Sequence, residues 1–368
     1  MTDHPNAANP HALSQAPPEF ARTNPPPDLT PSLKRLLAGH TLDADEAAYA
    51  FEAMMSGEAH HGEIGALLAL LATRTPTSQE LLGAAQVMRR HVDRVECGTD
   101  PANLVDTAGT GGAPKTFNVS TAAAIVAAAA GAKIAKHGNK SRTGRGSAEV
   151  LRQLGVNVDA DRATQAKCLD ECGVCFCFAI HHHPATRHVM PVRLALGFPT
   201  IFNLLGPLTN PAGAERQVMG VYHERFLHPI AEALANLGAT NAIVMHSEDG
   251  LDEFSIAAPT RVMRVRGGKV TEETIAPEDV GLQRADLSTV QATDLDHAAQ
   301  MIRDVLDPAA NGQITPARDM TLLASAAALL VAEVVDDWQS GVDLARKMIA
   351  SGKAPQTLER LAAISGGK

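Results

Sequence analysis

Aromatic side chains are scarce in this sequence: one Trp, two Tyr and nine Phe occur among 368 residues, about 3% of the chain. Proteins that hold single-stranded nucleic acid stack its bases on aromatic rings, so the scarcity argues against such a platform. Positive charge is also in deficit, with 32 Lys and Arg against 41 Asp and Glu and a formal net charge of −9. A broad nucleic-acid surface needs accumulated Lys and Arg, and this balance argues against one. Long hydrophobic runs are missing. The longest small or apolar stretch, Ala122 to Ala132, is about half of what a membrane-spanning helix requires. Met1 to Thr30 holds no run that could serve as a secretory signal. The five cysteines, Cys97, Cys168, Cys172, Cys175 and Cys177, are odd in number in a large chain. That predicts reduced thiols in a cytoplasmic setting rather than a disulfide framework.

What is present is aliphatic. Hydrophobic residues make up 45% and charged residues 20% of the chain, which excludes a wholly disordered protein. The length predicts one large domain plus something smaller. Eight of the 22 prolines fall between Pro5 and Pro31, so residues 1–31 read as an extended or disordered arm. Residues 32–97 carry a helical period and predict a small helical domain. Asp43 with Glu46, and Thr77 with Glu80, have the spacing of capping boxes that open two helices. From residue 98 to 368 short β-branched runs alternate with helices. Strands are expected at Leu104-Val105, around Ile134, and over 156–158, 174–178, 218–222 and 242–246. Helices are expected after Ser120 (closed by Gly131), after Ser147, and over 161–172 and 226–237. Such alternation implies parallel crossover units and an α/β domain with a mostly parallel central sheet.

Three segments carry chemistry. Asp106-Thr-Ala-Gly109-Thr110-Gly111-Gly112 is followed by Asn118-Val-Ser120-Thr121 at a helix start. Glycines let a backbone approach a ligand closely, and a helix N-terminus adds unpaired N–H groups, which together suit a phosphate. The pattern is neither a dinucleotide-binding GxGxxG nor a Walker loop. The second segment, Lys136-His137-Gly138-Asn139-Lys140-Ser141, continues through Arg142, Arg145 and Ser147. Lys133 to Arg152 holds six Lys or Arg against one Glu, a local +5 within a chain of −9. It follows a predicted strand, where α/β sheets place their ligands. The third, Glu248-Asp249-Gly250-Leu251-Asp252-Glu253, offers carboxylates on a loop, hard oxygen donors suited to Mg²⁺ that bridges to a substrate phosphate. A tight turn, a solvated basic face and a solvated acidic turn are the bland readings of the three taken separately. Together they describe an acidic loop, a metal and a basic loop around a polyphosphate.

With these blocks in view, the sequence resembles the anthranilate phosphoribosyltransferase family over nearly the whole chain after the Pro-rich arm. The resemblance rests on Gly109–Gly112, Thr116–Ala124, Lys136–Asn139, Gly146–Leu151, His183–Ala185, Thr200–Pro211 and Gly250–Glu253. It implies transfer of phosphoribose from phosphoribosyl pyrophosphate to the amine of anthranilate, with Mg²⁺. It also implies a small helical domain, with a helical return around 186–210, beside a nucleoside phosphorylase/phosphoribosyltransferase-like α/β domain. A cleft between them would hold the substrates, and a homodimer would form through the helical domain. Gly109, Thr110, Gly111, Gly112, Thr116, Asn118, Ser120, Thr121, Lys136 and Ser147 would surround phosphoribosyl pyrophosphate. Gly109, His137, Asn139, His183 and Arg193 would surround anthranilate, and Ser120, Asp252 and Glu253 would hold Mg²⁺. No general base is assigned, because an aryl amine already presents a lone pair.

The chain departs from the family pattern at several points. Ala113-Pro114-Lys115 stands where an Asp-Gly pair is usual, and Lys115 is a candidate phosphate contact. Ile180 replaces a common Pro, Pro199 replaces an Arg, and His182 stands where some relatives have Tyr and is expected to line the acceptor channel. The Cys168–Cys177 group beside His181–His183 has poor zinc spacing and reads as buried free thiols. The all-apolar helix over 322–335 reads as core. The competing functions are a pyrimidine nucleoside phosphorylase-like enzyme and a non-catalytic nucleic-acid-binding relative. The Thr200–Pro211 block and the Asp252-Glu253 pair favour the transferase over the first, and the retained carboxylates with the −9 charge weigh against the second.

Overall fold

The structure, a computed structural model, describes residues 27–112, 116–141, 144–310 and 315–366. Most of the Pro-rich segment, Ala113-Pro114-Lys115 and Arg142 therefore lie outside the described residues. Four helices come first: α1 (Thr30–Leu37), α2 (Ala44–Met55), α3 (His61–Ala72) and α4 (Ser78–Arg90). Both predicted capping boxes close. Asp43 accepts the Glu46 N–H at 2.8 Å while Glu46 accepts the Asp43 N–H at 3.0 Å. Thr77 and Glu80 exchange the same pair at 3.2 and 2.9 Å. Glu80 does more than cap: its buried carboxylate also accepts from Arg74 and from the Leu42 N–H at 2.9 Å, tying the start of α4 to the segment before α2.

The chain then alternates. β1 (Leu104–Asp106), α5 (Val119–Ala129), β2 (Lys133–Gly138), α6 (Ser147–Gln153), α7 (Arg162–Cys172) and β3 (Val174–Phe178) follow in order. The short helices α8 (Ala179–His182), α9 (Met190–Leu196) and α10 (Phe202–Leu205) return to the first helices, α9 against α3 and α10 against α4. β4 (Arg216–Gly220), α11 (Leu227–Asn236), β5 (Asn241–Ser247), β6 (Thr260–Arg266) and β7 (Lys269–Ile275) complete the sheet. Helices α12 (Leu295–Leu306), α13 (Pro316–Val331), α14 (Trp338–Ala350) and α15 (Lys353–Ser365) close the chain.

The seven strands lie in the order β3-β2-β1-β4-β5-β6-β7, with β1 to β5 parallel and the last two antiparallel. From β1 the chain winds outward through β2 to β3, then returns beside β1 as β4 and winds the other way. The switch point between β1 and β4 opens a crevice at the carboxyl ends of the strands, where such sheets take ligands. Alanine-rich α5 packs against α13, and Ala122, Ala123 and Ala127 on it are fully buried. The small side chains let the two helices approach closely.

Two local expectations change. Residues 156–158 form no strand, although Val156 and Val158 are buried. The Val156 N–H bonds the Leu151 carbonyl at 2.9 Å and the Asn157 N–H bonds Ser365 at 3.0 Å, so this backbone is satisfied by helix ends instead of a ladder. The hairpin β6–β7 was not anticipated. Its signal was present in the alternation of Thr260–Arg266 and the turn glycines Gly267-Gly268.

Candidate active site

A cavity of about 500 Å³ opens at the switch point, lined from the ends of β1, β2, β4 and β5 and from α4, α9 and α10. The glycine loop leaves β1 here. Gly111 and Gly112 have φ of +61° and +104°, a left-handed backbone that L side chains adopt only with strain. Thr110 anchors the loop: its N–H bonds the Gly220 carbonyl at 2.9 Å, and its hydroxyl accepts the Tyr222 N–H at 3.0 Å. The N-terminus of α5 faces the same space through Asn118 and Ser120.

Lys136, on β2, is buried. Its Nζ donates to the Thr107 carbonyl at 3.1 Å, the Thr107 hydroxyl at 3.2 Å and the Ser120 hydroxyl at 3.3 Å, so all three ammonium protons have acceptors. Burial lowers its pKa, while Asp106 and Glu253 favour its charge. Asp106, at the end of β1, is raised to about 6 by burial; its carboxylate accepts the His137 N–H at 3.0 Å and fixes the strand end that carries the cation.

His137 and His183 form a pair. His137 Nδ1 lies 3.1 Å from the Gly206 carbonyl, an obligate acceptor, so the proton sits on Nδ1. Burial, then His183 and His182, hold the His137 pKa well below the ordinary value, and burial pushes His183 down to about 4. With both rings neutral, His137 Nε2 accepts from His183 Nε2–H across 3.3 Å. Arg193, on α9, places its guanidinium 5.0 Å over the Phe202 ring and lines the same cavity.

Of the acidic segment, only Asp252 and Glu253 line the cavity. Asp249 is occupied with the Ser255 hydroxyl at 2.5 Å, and Glu248 is exposed. Glu253 meets the backbone and hydroxyl of Ser120, and burial together with Asp252 raises its pKa to about 8 against the pull of Lys136. Two adjacent carboxylates under that repulsion, with a hydroxyl, form a hard oxygen set that a divalent cation relieves. Among the described residues no group of three or more His, Cys, Asp or Glu could hold a metal. A carboxylate pair with one hydroxyl still fits Mg²⁺, which commonly takes one or two carboxylates and completes its shell with phosphate oxygens and water. The Cys168–Cys177 thiols are buried, with Cys175 and Cys177 in contact at 3.7 Å.

Thus Gly109, Thr110, Gly111, Gly112, Thr116, Asn118, Ser120, Lys136, His137, Asn139, Ser147, His183, Arg193, Asp252 and Glu253 surround one cavity. Thr121 does not: it is buried within α5, one residue around the helix from Ser120. His182 also differs from expectation. Its ring turns away from the acceptor side, between the Asp93 carbonyl at 2.8 Å and Gln165 at 3.0 Å, because α8 points successive side chains about 100° apart. Ile180, by contrast, lines the cavity. Met88, Gly206, Gly220 and Met245 also line it and were not anticipated, since each reaches the site only through packing.

The family described as "Glycosyl transferase family, a/b domain" matches residues 101–355, and "Glycosyl transferase family, helical bundle domain" matches residues 30–92. The anthranilate phosphoribosyltransferase of Thioalkalivibrio sulfidiphilus is 46% identical over 91% of this chain and 98% of its own. That of Parvibaculum lavamentivorans is 45% identical over 93% and 98%. The crystal structure of anthranilate phosphoribosyltransferase from Thermus thermophilus is similar with a TM-score of 0.84 at 38% identity, covering 91% of this chain and 99% of that one. The Saccharomyces cerevisiae enzyme in complex with PRPP and Mg gives 0.81 at 26% identity, covering 92% and 98%. With a helical bundle, an α/β domain and relatives matched nearly end to end, this chain belongs to the anthranilate phosphoribosyltransferase family.

Proposed function

We propose that this protein transfers phosphoribose from phosphoribosyl pyrophosphate to the amine of anthranilate, releasing pyrophosphate, in tryptophan biosynthesis. The observation that carries the reading is the single cavity in which a phosphate-type glycine loop, a carboxylate pair and Arg193 meet. The glycine loop and the start of α5 supply N–H donors to the phosphates of the donor. Lys136 holds Thr107 and Ser120 in place and adds positive charge beside the leaving group. Mg²⁺ held by Ser120, Asp252 and Glu253 would offset the charge that develops on departing pyrophosphate. Arg193 binds the anthranilate carboxylate by paired hydrogen bonds and so aims the amine.

The neutral His137–His183 pair keeps positive charge away from the amine, whose lone pair attacks the anomeric carbon without a strong base. The chemistry is alignment and charge stabilisation, with water excluded from a reactive ribosyl centre. No described helix is long and apolar enough to cross a membrane, and a cytoplasmic setting is part of the proposal. A homodimer belongs to it as well: exposed Leu37 and Leu194 lie on α1 and α9, which both pack on α3. Fluorescence loss from anthranilate, dependent on phosphoribosyl pyrophosphate and Mg²⁺, tests the reaction. Phosphorolysis of a pyrimidine nucleoside in place of that activity would favour the phosphorylase alternative.

A further inference from the structure

We infer that Gly220 is a positioning residue that sets the spacing between the phosphate-binding loop and the metal-carboxylate loop; the inference rests on the transferase reading. Gly220 ends β4 at the switch point of the sheet and lines the cavity. Its carbonyl accepts twice from Thr110, from the N–H at 2.9 Å and from the hydroxyl at 3.3 Å. Gly109 lies directly over it, so that a Cβ on Gly109 would come within 3.2 Å of the Gly220 carbonyl oxygen. In the direction a Gly220 side chain would take, the place is filled by the Asp252 carbonyl oxygen, with the Asp252 Cα 3.3 Å from where that Cβ would stand.

The backbones of Gly109-Thr110, Gly220 and Asp252 are thus in continuous contact. Phosphoribosyl pyrophosphate must meet donors on one loop and metal held by the other, so their separation has to hold to a fraction of an ångström. Any L side chain at residue 220 displaces Asp252 while leaving Arg193 and the histidine pair untouched. Glycine here serves close approach, and its φ is not in the left-handed region.

The test compares wild type, Gly220→Ala and Thr110→Val, which removes the hydroxyl tie but keeps the amide bond. For Gly220→Ala, half-saturation for both Mg²⁺ and phosphoribosyl pyrophosphate should rise about 10-fold or more, with the KM for anthranilate within about 2-fold. Titration calorimetry with pyrophosphate in the presence of Mg²⁺ should weaken by a similar factor. Thr110→Val should move the same two constants about 3-fold, and it decides the matter if Gly220→Ala is not recovered folded. Unchanged donor and Mg²⁺ constants, whatever the melting temperature or kcat, or an equal rise for anthranilate, would overturn the inference alone. A wild-type protein without anthranilate-dependent turnover would instead sink the transferase reading, and this inference with it.

Discussion

His183 donates its Nε2 proton to His137 Nε2 across 3.3 Å, the two rings tilted by 50° with centroids 5.1 Å apart. Burial disfavours charge on either ring, and a proton added to His137 would go on Nε2 and set two N–H groups against each other, so the pair belongs to the neutral state. His183 titrates at about 4 in the fold against an ordinary 6.5. Between those values the unfolded chain binds more protons than the folded one. The stabilisation is therefore fully present above about pH 6.5 and is lost as the pH falls toward about 4, on the order of 3 kcal/mol in total. Urea midpoints measured from pH 7.5 to 4.5 should fall with pH, and His183→Gln should flatten that slope. An equal slope in the variant would refute the neutral pair.

Arg193 places its guanidinium 5.0 Å over the Phe202 ring, and both side chains line the cavity. Replacing Arg193 by Ala should raise the KM for anthranilate by about 10- to 100-fold, with the constant for phosphoribosyl pyrophosphate nearly unchanged. Lysine should rescue only part of the loss, since an ammonium cannot form the paired hydrogen bonds. Steady-state kinetics with each substrate varied in turn decides. An unaltered anthranilate KM would remove Arg193 from the acceptor site.

The carboxylates predict a metal requirement. Chelation should abolish turnover and added Mg²⁺ should restore it. Asp252→Asn and Glu253→Gln should each lower kcat/KM by about 100-fold or more, because either change removes charge that orients the cation against the leaving group. Full Mg²⁺-dependent turnover in both variants is the outcome that defeats the assignment.

The four buried thiols should be inert in the folded protein. Burial pushes Cys168 up to about 12 and raises Cys172, and contact with Cys177, then burial, raises Cys175. Thiolate is the reactive form. A thiol reagent at pH 8 should titrate half-exposed Cys97 first and the four others only on unfolding, while elemental analysis should find no stoichiometric zinc. Rapid native titration of all five would contradict the structure.

Much of the candidate site, as the set of residues that line one cavity, was legible because its sequence signals are local. The glycine loop, the 136–141 segment and Asp252-Glu253 each announce their role within a few residues, through backbone freedom, clustered charge or paired oxygen donors. The capping boxes were legible for the same reason, since a cap is a contact over three residues. Thr121 and His182 went the other way. Each shares a helix with a residue that lines the cavity, Ser120 and Ile180, and each is turned out of it by the helical rotation per residue.

Fold class, family and the kinds of ligand could be read from the chain alone, because periodicity, capping and motif spacing are properties of short stretches of residues. The chain has one Trp and two Tyr, and none of these is among the described residues that line the cavity. Which residues face one another emerges only in the folded molecule. The β1–β4 switch point brings Thr110, Gly220 and Asp252 together from 110 and 32 positions apart, and it sets the Gly206 carbonyl against His137 across 69. Such contacts depend on which strands become neighbours, and strand order is decided by how the whole core packs.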